Sequence, residues 1–398
     1  MTLIDRLKAW VANNLPFIFS LLRSLKPILV FKEFALVTRF DDVQEILSRP
    51  DVFGVTYAER MAVITNGGNF FLGMDNTPAY TRDVSNMRIV VRRDDLETII
   101  APMIQRLSSE IISNSQGKLD AVQGLTKIVP ARFIRDYMGI PGPTEAELID
   151  WTTYMFQYLF FPDNPEDVNA TAVSYAAKAR NYLDQLIKER KQNPQPSDDS
   201  LARCLALQQA ETPGMTDLDI RNNLIGIIIG AIPPTSKCAA LVIDYLLDHP
   251  TLLVSAQDAA RSGDNGTMRQ YVLEALRFNS FGAGVRRITN RDYIVARGCL
   301  RSKTIKKGTI VLAATQSAML DRRKIESPSR FRLNRPSYAY MHFGYGMHTC
   351  FGEHINLVQI PIIVSALLKL PGLRRTEGVM QYRGPFPESL MVEFDAPA

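Results

Sequence analysis

Apolar residues recur at the helical period along most of this chain, whereas short apolar runs typical of strands occur mainly towards its two ends. Residues 101–193 are predicted to be mainly helical, with one break at 139–143, where glycines and prolines cluster. Apolar runs at 28–31 and 35–38 predict two strands, and 384–394 is a final β-like segment. The pattern predicts helices in the middle of the chain and short β segments near both of its ends.

The longest predicted helix begins after Thr216, which forms a capping-box pattern with Asp219. It continues for about 30 residues, or roughly 45 Å. Residues 224–231 are apolar on all sides, so this helix should cross the interior. Pro233 and Pro234 interrupt the pattern. Because each interior proline removes a backbone donor and costs on the order of 3 kcal/mol, we expect a kink at this point.

Two other segments carry specific expectations. Residues 54–75 contain a glycine pair and are predicted to form a loop. The apolar segment 15–31 is interrupted by two prolines, Arg23 and Lys26, so it is too short and too polar to span a bilayer. We expect this N-terminal segment to be buried in the protein rather than to lie on a membrane.

Composition narrows the class of protein. The chain has 398 residues, of which 46% are hydrophobic and 22% charged, as in ordinary soluble globular proteins. No linker or repeat divides it, so residues 1–398 are expected to form a single domain. The net charge of +5 is mild and the basic residues are scattered, which disfavours nucleic-acid binding. The four cysteines lack metal-ligand spacing and suit free thiols, so we expect a soluble cytoplasmic protein.

The segment with the clearest chemistry is 343–352, which reads Phe-Gly-Tyr-Gly-Met-His-Thr-Cys-Phe-Gly. Its three glycines allow positive φ angles and close approach to a flat ligand. Cys350 lies just ahead of a predicted helix at 353–370, where backbone N–H groups and the helix dipole favour a thiolate. A soft thiolate in an apolar site is a good axial ligand for haem iron.

These residues match every fixed place of Phe-Gly-x-Gly-x-His-x-Cys-x-Gly, so the chain resembles the cytochrome P-450 superfamily, in its soluble bacterial type. The resemblance implies the cytochrome P-450 fold, which is mainly α with a smaller β-rich part near the N- and C-terminal segments, with haem b held between the long helix and the helix after Cys350. It implies that Cys350 is the axial metal ligand. The other residues that it places at the haem are Phe343, Gly344, Gly352, His348, Arg287, Arg286, Tyr80 and Ala231.

One haem-contacting helix departs from the family pattern. The family usually has Pro-x-His-x-Arg-x-Arg at its start, where the histidine and the second arginine bind haem propionates. Here Tyr80 stands at the histidine place and Val84 at the second arginine place. Tyr80 retains an O–H donor, and Arg88, one turn beyond Val84, is a candidate substitute for the arginine.

Glu274 and Arg277 are three residues apart in a helical stretch and therefore share one face. As an exposed pair they would contribute little. The spacing also resembles the family's Glu-x-x-Arg, whose third member is the arginine of a Phe-x-x-x-Arg-Pro segment, here Arg335. The resemblance implies a structural triad that locks the loop carrying Cys350 through guanidinium–carboxylate bonding.

The proline pair also falls at an important place in the family pattern Ala-Gly-x-(Asp/Glu)-Thr-Thr. Pro233 takes the place of the acid and Pro234 that of the first threonine, two groups that manage protons during dioxygen cleavage. One interpretation is a kink that only shapes the pocket. The other is loss of the usual proton relay, which Thr235 or Ser236 partly replaces. The candidate residues of the substrate pocket are Phe71, Ile232, Pro234 and Phe281.

The sequence is compatible with three functions. The first is a haem-thiolate monooxygenase that inserts oxygen into a lipophilic small molecule, with electrons from a separate ferredoxin or flavodoxin. The second is a peroxide-using peroxygenase or hydroperoxide-rearranging enzyme, which the two prolines favour. The third is a non-catalytic haem-binding protein. A fold alone does not decide among them.

Overall fold

The computed structural model of this protein describes residues 14–194, 196–376 and 378–395. Most of these residues are helical. The α-helices, in chain order, are α1 (Leu15–Leu25), α2 (Phe40–Leu47), α3 (Ala58–Thr65), α4 (Pro78–Val90), α5 (Ala101–Ser113), α6 (Ile128–Met138), α7 (Glu145–Phe160), α8 (Glu166–Gln192), α9 (Ser200–Gln209), α10 (Asp217–Leu247), α11 (Pro250–Arg261), α12 (Asn265–Phe278), α13 (Thr315–Ala318) and α14 (Glu353–Leu368). Shorter 3₁₀ and π segments are Phe71–Gly73, Leu96–Ile100, Ala121–Thr126, Ser337–Ala339 and Gly346–His348.

The strands are short and form small sheets. They are β1 (Ile28–Val30), β2 (Phe34–Val37), β3 (Phe53–Gly54), β4 (Lys118–Asp120), β5 (Val285–Thr289), β6 (Tyr293–Val295), β7 (Lys303–Ile305), β8 (Ile310–Ala313), β9 (Arg374–Arg375), β10 (Gln381–Arg383), β11 (Phe386–Ser389) and β12 (Met391–Glu393). The largest sheet has the order β1-β2-β8-β5-β3, in which only β2 and β8 are parallel. The smaller sheets are β4-β12-β9, β10-β11 and β6-β7. The mainly α fold with a smaller β part is as the sequence predicts.

Contacts between residues divide the chain into two compact units. One, called here the sheet unit, comprises Met1–Thr56 and Leu273–Phe351, and the other, the helical unit, comprises Tyr57–Val272 and Gly352–Ala398. The sheet unit contains the five-stranded sheet, whose buried face includes Val37 and Val311. The buried Val43 of α2 joins the same apolar cluster. This core gives the loops of the sheet unit, including the one that carries Cys350, a rigid base.

The helical unit is organised around α10. This helix contacts α6, α7, α8, α11 and α14, and most of its side chains are buried. Burying one leucine or isoleucine side chain contributes about 1.5–3 kcal/mol. Each of the two interior prolines costs about 3 kcal/mol of helix stability. Burial of the side chains of α10 offsets this cost, since Leu224, Ile225 and Ile232 are all 0% exposed. Within the described residues, α10 is also the helix long and apolar enough to cross a membrane, but 72% of its most apolar window is buried in the protein.

Several predicted boundaries are confirmed. Thr216 Oγ1 accepts the Asp219 N–H at 3.2 Å, and the Thr216 N–H donates to Asp219 Oδ2 at 3.0 Å, which completes the capping box of α10. The helix then continues through Pro233 and Pro234 to Leu247.

Two expectations are wrong in part. The segment 54–75 is not all loop, because it contains α3, where the buried Met61 and Ile64 mark a two-turn apolar face. The glycine pair that suggested a loop follows the end of this helix. The N-terminal segment is not all buried either: Phe19 is buried, but Phe17 is 67% exposed. A helix with one buried face places these residues on opposite sides.

Candidate functional site

The loop that carries Cys350 lies in the sheet unit. Its two ends are joined by a hydrogen bond of 2.8 Å from the Cys350 N–H to the Phe343 carbonyl. Inside the loop, the Thr349 N–H donates to the Gly346 carbonyl at 3.1 Å and closes a single 3₁₀ turn. Cys350, Phe343 and His348 are all half-buried. The loop is therefore a closed turn that fixes the backbone of the cysteine.

Two of the three glycines in this loop have the backbone that the sequence predicts. Gly344 has φ of +81° and Gly346 of +76°. A Cβ at Gly346 would also lie 2.6 Å from the Leu47 carbonyl oxygen, so no other residue fits there without moving the backbone. The expectation of positive φ is wrong for Gly352. This residue is the N-cap of α14, with φ of −83°, a conformation open to other residues.

The predicted triad is present in the sheet unit and is buried. Arg277 donates two hydrogen bonds to the Glu274 carboxylate, from Nε to Oε1 at 2.9 Å and from Nη2 to Oε2 at 2.8 Å. The Arg335 Nε lies 3.0 Å from Glu274 Oε1, an ion-pair contact whose angle is too bent for a hydrogen bond. The side chains of Glu274 and Arg277 are 0% exposed and that of Arg335 is 3% exposed. The three charges therefore form one desolvated network rather than a surface pair.

The two guanidinium groups extend this network to the backbone that leads to the cysteine loop. Arg277 Nη2 donates to the Arg330 carbonyl at 2.9 Å, and Arg277 Nη1 donates to that of Pro328. Arg335 Nη2 donates to the carbonyls of Arg330 at 2.8 Å and Ser327 at 3.0 Å. Each charge is thus satisfied by several partners, which a buried ion network requires if it is to be stable.

Two further groups of the network carry no signal in the sequence. The Tyr340 hydroxyl donates to Glu274 Oε1 at 3.0 Å, and the Arg332 N–H donates to Oε2 at 3.0 Å. Burial by itself would raise the pKa of Glu274, but the hydrogen bonds and charge of Arg277 and the charge of Arg335 outweigh it and lower that pKa. Burial and the Glu274 carboxylate both raise the pKa of Tyr340, so its hydroxyl keeps the proton that it donates.

A half-buried histidine lies just ahead of the cysteine loop. Burial lowers the pKa of His342 to about 4, so its ring is neutral at ordinary pH. Its Nε2 lies 2.9 Å from the Leu273 carbonyl, and so Nε2 carries the proton. His342 is therefore a structural group, distinct from His348, which the family resemblance assigns to a propionate.

Arg286 and Arg287 lie on β5, where alternation separates them. Arg287 is buried on the same face as Thr289, whereas Arg286 is half-buried on the opposite face with Ile288. Arg286 and Arg287 therefore point to opposite faces of the sheet. Phe281, which the sequence assigns to the substrate pocket, is a half-buried residue in the same unit, between α12 and β5.

In the helical unit, α10 has one open stretch within an otherwise buried helix. Gly230 is exposed, with nothing within 4 Å of the place where a Cβ would stand. Ala231 and Pro234 are half-buried, while Ile232 is 0% exposed. The predicted haem contact Ala231 and the predicted pocket residue Pro234 thus lie at this open stretch, and Ile232 belongs to the packed side of the helix.

The hydroxyl groups that follow the prolines are engaged within the helical unit. Thr235 is buried, and its Oγ1 donates to Asn356 Oδ1 on α14 at 2.9 Å. Ser236 Oγ lies 3.1 Å from Thr126 Oγ1. A threonine hydroxyl has one proton to donate, and that of Thr235 is already directed at a side-chain amide. The role in proton delivery that the sequence assigns to Thr235 stays a prediction.

The remaining predicted residues of the helical unit are also buried. Phe71 is 0% exposed and its ring lies 4.3 Å from that of Phe70, which packs on the backbone of Gly226 in α10. Tyr80 is buried near the start of α4, where burial raises its pKa and the charge of Arg88 on the same helix opposes that rise.

Comparison with known proteins places these features in a family context. A family model described as Cytochrome P450 matches residues 28–370. Pulcherriminic acid synthase of Bacillus subtilis (strain 168) is 24% identical over 381 residues, which cover 90% of this chain and 89% of that protein. Mycinamicin IV hydroxylase/epoxidase of Micromonospora griseorubida is 23% identical over 352 residues, which cover 85% of this chain and 82% of that protein.

Solved structures agree with the sequence relatives at the level of the fold. P450BioI in complex with hexadec-9Z-enoic acid ligated acyl carrier protein has a TM-score of 0.83 at 21% identity, covering 97% of this chain and 99% of that one. The crystal structure of CalO2 has a TM-score of 0.81 at 20% identity, covering 98% of each chain. At this identity the likeness establishes the architecture and leaves the substrate open.

Proposed function

The chain belongs to the cytochrome P450 family, and we propose that it is a haem-thiolate monooxygenase that inserts oxygen into a lipophilic small molecule, with Cys350 as the axial ligand. Proteins of this family are oxidoreductases that bind haem b. The observation that carries the proposal is the buried Glu274 network, because it holds the backbone leading to the loop whose thiol would bind the iron.

The donor groups of the chain fit a haem. Cys350 is a half-buried soft ligand on a loop closed by its own backbone hydrogen bond. Arg287 and His348 supply cationic or N–H donors for propionates in the sheet unit, and Tyr80 and Arg88 supply them in the helical unit. The open stretch at Gly230 leaves α10 without a side chain where a flat ligand needs close approach.

The bound haem would supply the redox chemistry: one oxygen atom of dioxygen enters the substrate, the other leaves as water, and two electrons and two protons come from outside. The chain's own residues would do the rest. Cys350 would donate electron density as a thiolate, with Phe343 packed beside it. Pro234, at the open stretch of α10, would contact the apolar substrate.

A basic cluster in the helical unit supports an acidic electron carrier such as a ferredoxin or flavodoxin. Arg93 contacts the His354 ring at the start of α14, the helix that follows Cys350 along the chain. Burial and the charges of Arg93 and Arg88 lower the pKa of His354, and the charge of Glu353 opposes that change. Such a surface attracts an acidic partner, and we place the enzyme in the cytoplasm as a soluble protein.

A specific observation favours a second candidate function. Prolines stand where the acid and the first threonine would manage protons, and the Thr235 hydroxyl is directed at Asn356. An enzyme that takes oxygen from a peroxide, or rearranges a substrate hydroperoxide, has less need of that relay. The peroxygenase or hydroperoxide-rearranging alternative therefore remains the main competitor.

The test compares the two routes on the same purified protein. In the first arm, heavy-isotope dioxygen, NADPH, a ferredoxin and its reductase are supplied with a panel of lipophilic compounds. In the second arm, hydrogen peroxide or a lipid hydroperoxide is added without reductant. Heavy oxygen in a defined product supports the monooxygenase. Rapid conversion in the second arm alone would assign the protein to the peroxide-dependent class, and no defined product in either arm would favour a non-catalytic haem protein.

A further inference from the structure

A cavity of about 380 Å³ lies within the sheet unit, between α1 and the segment 320–329. This volume is in the range of small-molecule sites, about 300–1,000 Å³. Three arginines, Arg23, Arg322 and Arg323, are among the described residues that line it, against the carboxylate of Asp321. None of these residues takes part in the proposed haem chemistry, so the basic lining points to a ligand of its own.

Arg23 is buried to an unusual degree for an arginine, with 7% exposure. Its Nη1 donates to the Ser317 hydroxyl at 2.9 Å and to the Ser317 carbonyl at 3.1 Å, which are both neutral acceptors. In the described part of the chain, no carboxylate oxygen lies within 4.0 Å of its guanidinium nitrogens. Burial lowers the pKa of Arg23; the charge of Asp321 opposes that change and the charge of Arg323 adds to it. A buried guanidinium of this kind is one that a bound anion would stabilise.

The Asp321 carboxylate is already occupied by donors of the protein. Its Oδ1 accepts hydrogen bonds from the Arg323 N–H at 3.2 Å and from Arg323 Nη1 at 3.1 Å, and its Oδ2 accepts one from the Phe40 N–H at 3.2 Å. Arg322, the next residue, is exposed. One carboxylate among three guanidinium groups leaves an excess of two positive charges in the described lining, which is the complement of a dianion.

Hydroxyl groups and apolar carbon complete the lining. Ser20 and Ser24 are exposed and share one face of α1, and Ser329 is exposed on the segment that lines the other side. Phe278 and Leu320, both half-buried, supply apolar surface. The cavity thus offers charged and neutral donors together with a smaller apolar wall.

We propose that this cavity binds the phosphate monoester group of an organic phosphate, with the phosphate against Arg23 and Arg322 and the organic part against Phe278 and Leu320. A phosphate monoester carries a charge of about −1.5 to −2 at pH 7 and three strong acceptor oxygens. It therefore matches the charge excess, and its oxygens fit the donor fork of a guanidinium. A carboxylate or a phosphodiester would bring only one negative charge. The inference does not depend on the proposed function.

The cavity shares a segment of backbone with the Glu274 network. Pro328 and Ser329 line the cavity, and the Pro328 carbonyl also accepts a hydrogen bond from Arg277 Nη1. A ligand in the cavity would therefore contact the backbone that this network holds ahead of the cysteine loop. Because the ligand binds the folded protein, it should also raise the urea concentration at the unfolding midpoint.

Isothermal titration calorimetry on the purified, haem-loaded protein tests the charge requirement. The probes are phenyl phosphate, benzenesulfonate as a monoanion of similar shape, and inorganic phosphate, at about pH 7.5 and about 0.15 M salt. We expect one phenyl phosphate per protein, bound about ten- to hundredfold more tightly than benzenesulfonate, the range of one further hydrogen bond between charged groups. Inorganic phosphate should bind about tenfold more weakly than phenyl phosphate, because it lacks the ring that contacts the apolar wall.

Variants assign the binding to this cavity. Arg322→Gln, which removes an exposed guanidinium, should weaken phenyl phosphate about tenfold and leave the circular dichroism spectrum unchanged. Arg23→Met should weaken it at least as much. The matched control is Arg297→Gln, which removes an exposed arginine of the same unit outside the cavity lining. The control should keep the full affinity and the full rise in the unfolding midpoint.

The phosphate group could come from a soluble ester or from a lipid headgroup. Sedimentation with phosphatidylcholine vesicles, with and without phosphatidic acid, separates the two sources. A protein that stays in solution takes a soluble ester. One that sediments with phosphatidic acid and is released by phenyl phosphate takes the headgroup.

Equal affinity for phenyl phosphate and benzenesulfonate would overturn the proposal. So would an affinity for phenyl phosphate that Arg322→Gln leaves unchanged, or binding of several phosphates per protein, because either result would indicate general attraction to basic surface. These measurements need no turnover, so they stand whether or not the protein proves to be a monooxygenase.

Discussion

The Glu274 network makes the most demanding prediction, because one substitution removes the charge that two buried arginines share. Glu274→Gln keeps the shape of the side chain but leaves the guanidinium groups of Arg277 and Arg335 without their counter-charge. Breaking a buried ion pair by removing one partner costs about 3–5 kcal/mol. A domain has an unfolding free energy of about 5–15 kcal/mol, so we expect a marginally stable protein.

Two further substitutions check the size of the stability loss expected for Glu274→Gln. Tyr340→Phe removes one donor to Glu274 and should cost about 1–2 kcal/mol. Glu326→Gln is the matched control, since the Glu326 side chain is 77% exposed and lies 2.8 Å from Arg332. An exposed pair contributes about 0–1 kcal/mol, so this control should hardly change stability. The loss of stability should therefore be largest for Glu274→Gln, smaller for Tyr340→Phe and smallest for Glu326→Gln.

The assay is urea unfolding followed by circular dichroism, together with the fraction of haem that gives the red-shifted Soret band of a thiolate in the ferrous–CO state. The pKa of Glu274 is lowered in the folded protein, so its contribution is present above the ordinary pKa of a glutamate and is lost as pH falls through the lowered value. The difference in unfolding free energy between the wild type and Glu274→Gln should therefore become smaller at acid pH. If Glu274→Gln lost no more stability than Glu326→Gln and kept its thiolate band, the structural role of the network would be refuted.

The other substitutions address α10 and its neighbours. Thr235→Val should cost about 1–2 kcal/mol in thermal or urea unfolding, because Asn356 Oδ1 loses its donor. Lys237→Met should raise stability near pH 7 by up to about 3 kcal/mol, because the pKa of Lys237 is lowered to about 8; the gain should shrink as pH rises from about 8 towards 10.5. Restoring the family pair with Pro233→Glu and Pro234→Thr should increase the product formed per dioxygen consumed.

Each of these expectations can fail clearly. A large loss of turnover in Thr235→Val with unchanged stability would make Thr235 part of proton delivery. Lower stability of Lys237→Met near neutral pH would mean that the ammonium is well stabilised inside the folded protein. Unchanged oxygen coupling in the restored pair, with loss of peroxide activity, would favour the peroxide-dependent enzyme.

The parts of the site that sequence can predict are those written as local patterns. The turn around Cys350 needs glycine at Gly344 and Gly346 because of positive φ, and this requirement is visible in the motif itself. Glu274 and Arg277 share a helical face, so their spacing is a direct signal. The capping residues of α10 are local in the same sense.

The rest depends on tertiary packing. The donation from Tyr340 to Glu274 joins residues 66 positions apart, and no spacing rule indicates it. Thr235 is a candidate because it lies beside the prolines, but the direction of its hydroxyl is set by Asn356, far along the chain. Lys237 is visible in the sequence as a lysine within an apolar helix. Its contact with the Phe386 ring depends on tertiary packing and cannot be predicted from the spacing.

One spectrum tests most directly whether Cys350 binds the haem iron as a thiolate. The ferrous–CO difference spectrum should be recorded for the wild type, for Cys350→Ser and for the control Cys299→Ser, which removes an exposed cysteine. We predict the red-shifted Soret band of a haem-thiolate in the wild type and in Cys299→Ser, and its complete loss in Cys350→Ser. A band that persists in Cys350→Ser would show that another residue binds the iron and would contradict the assignment of Cys350.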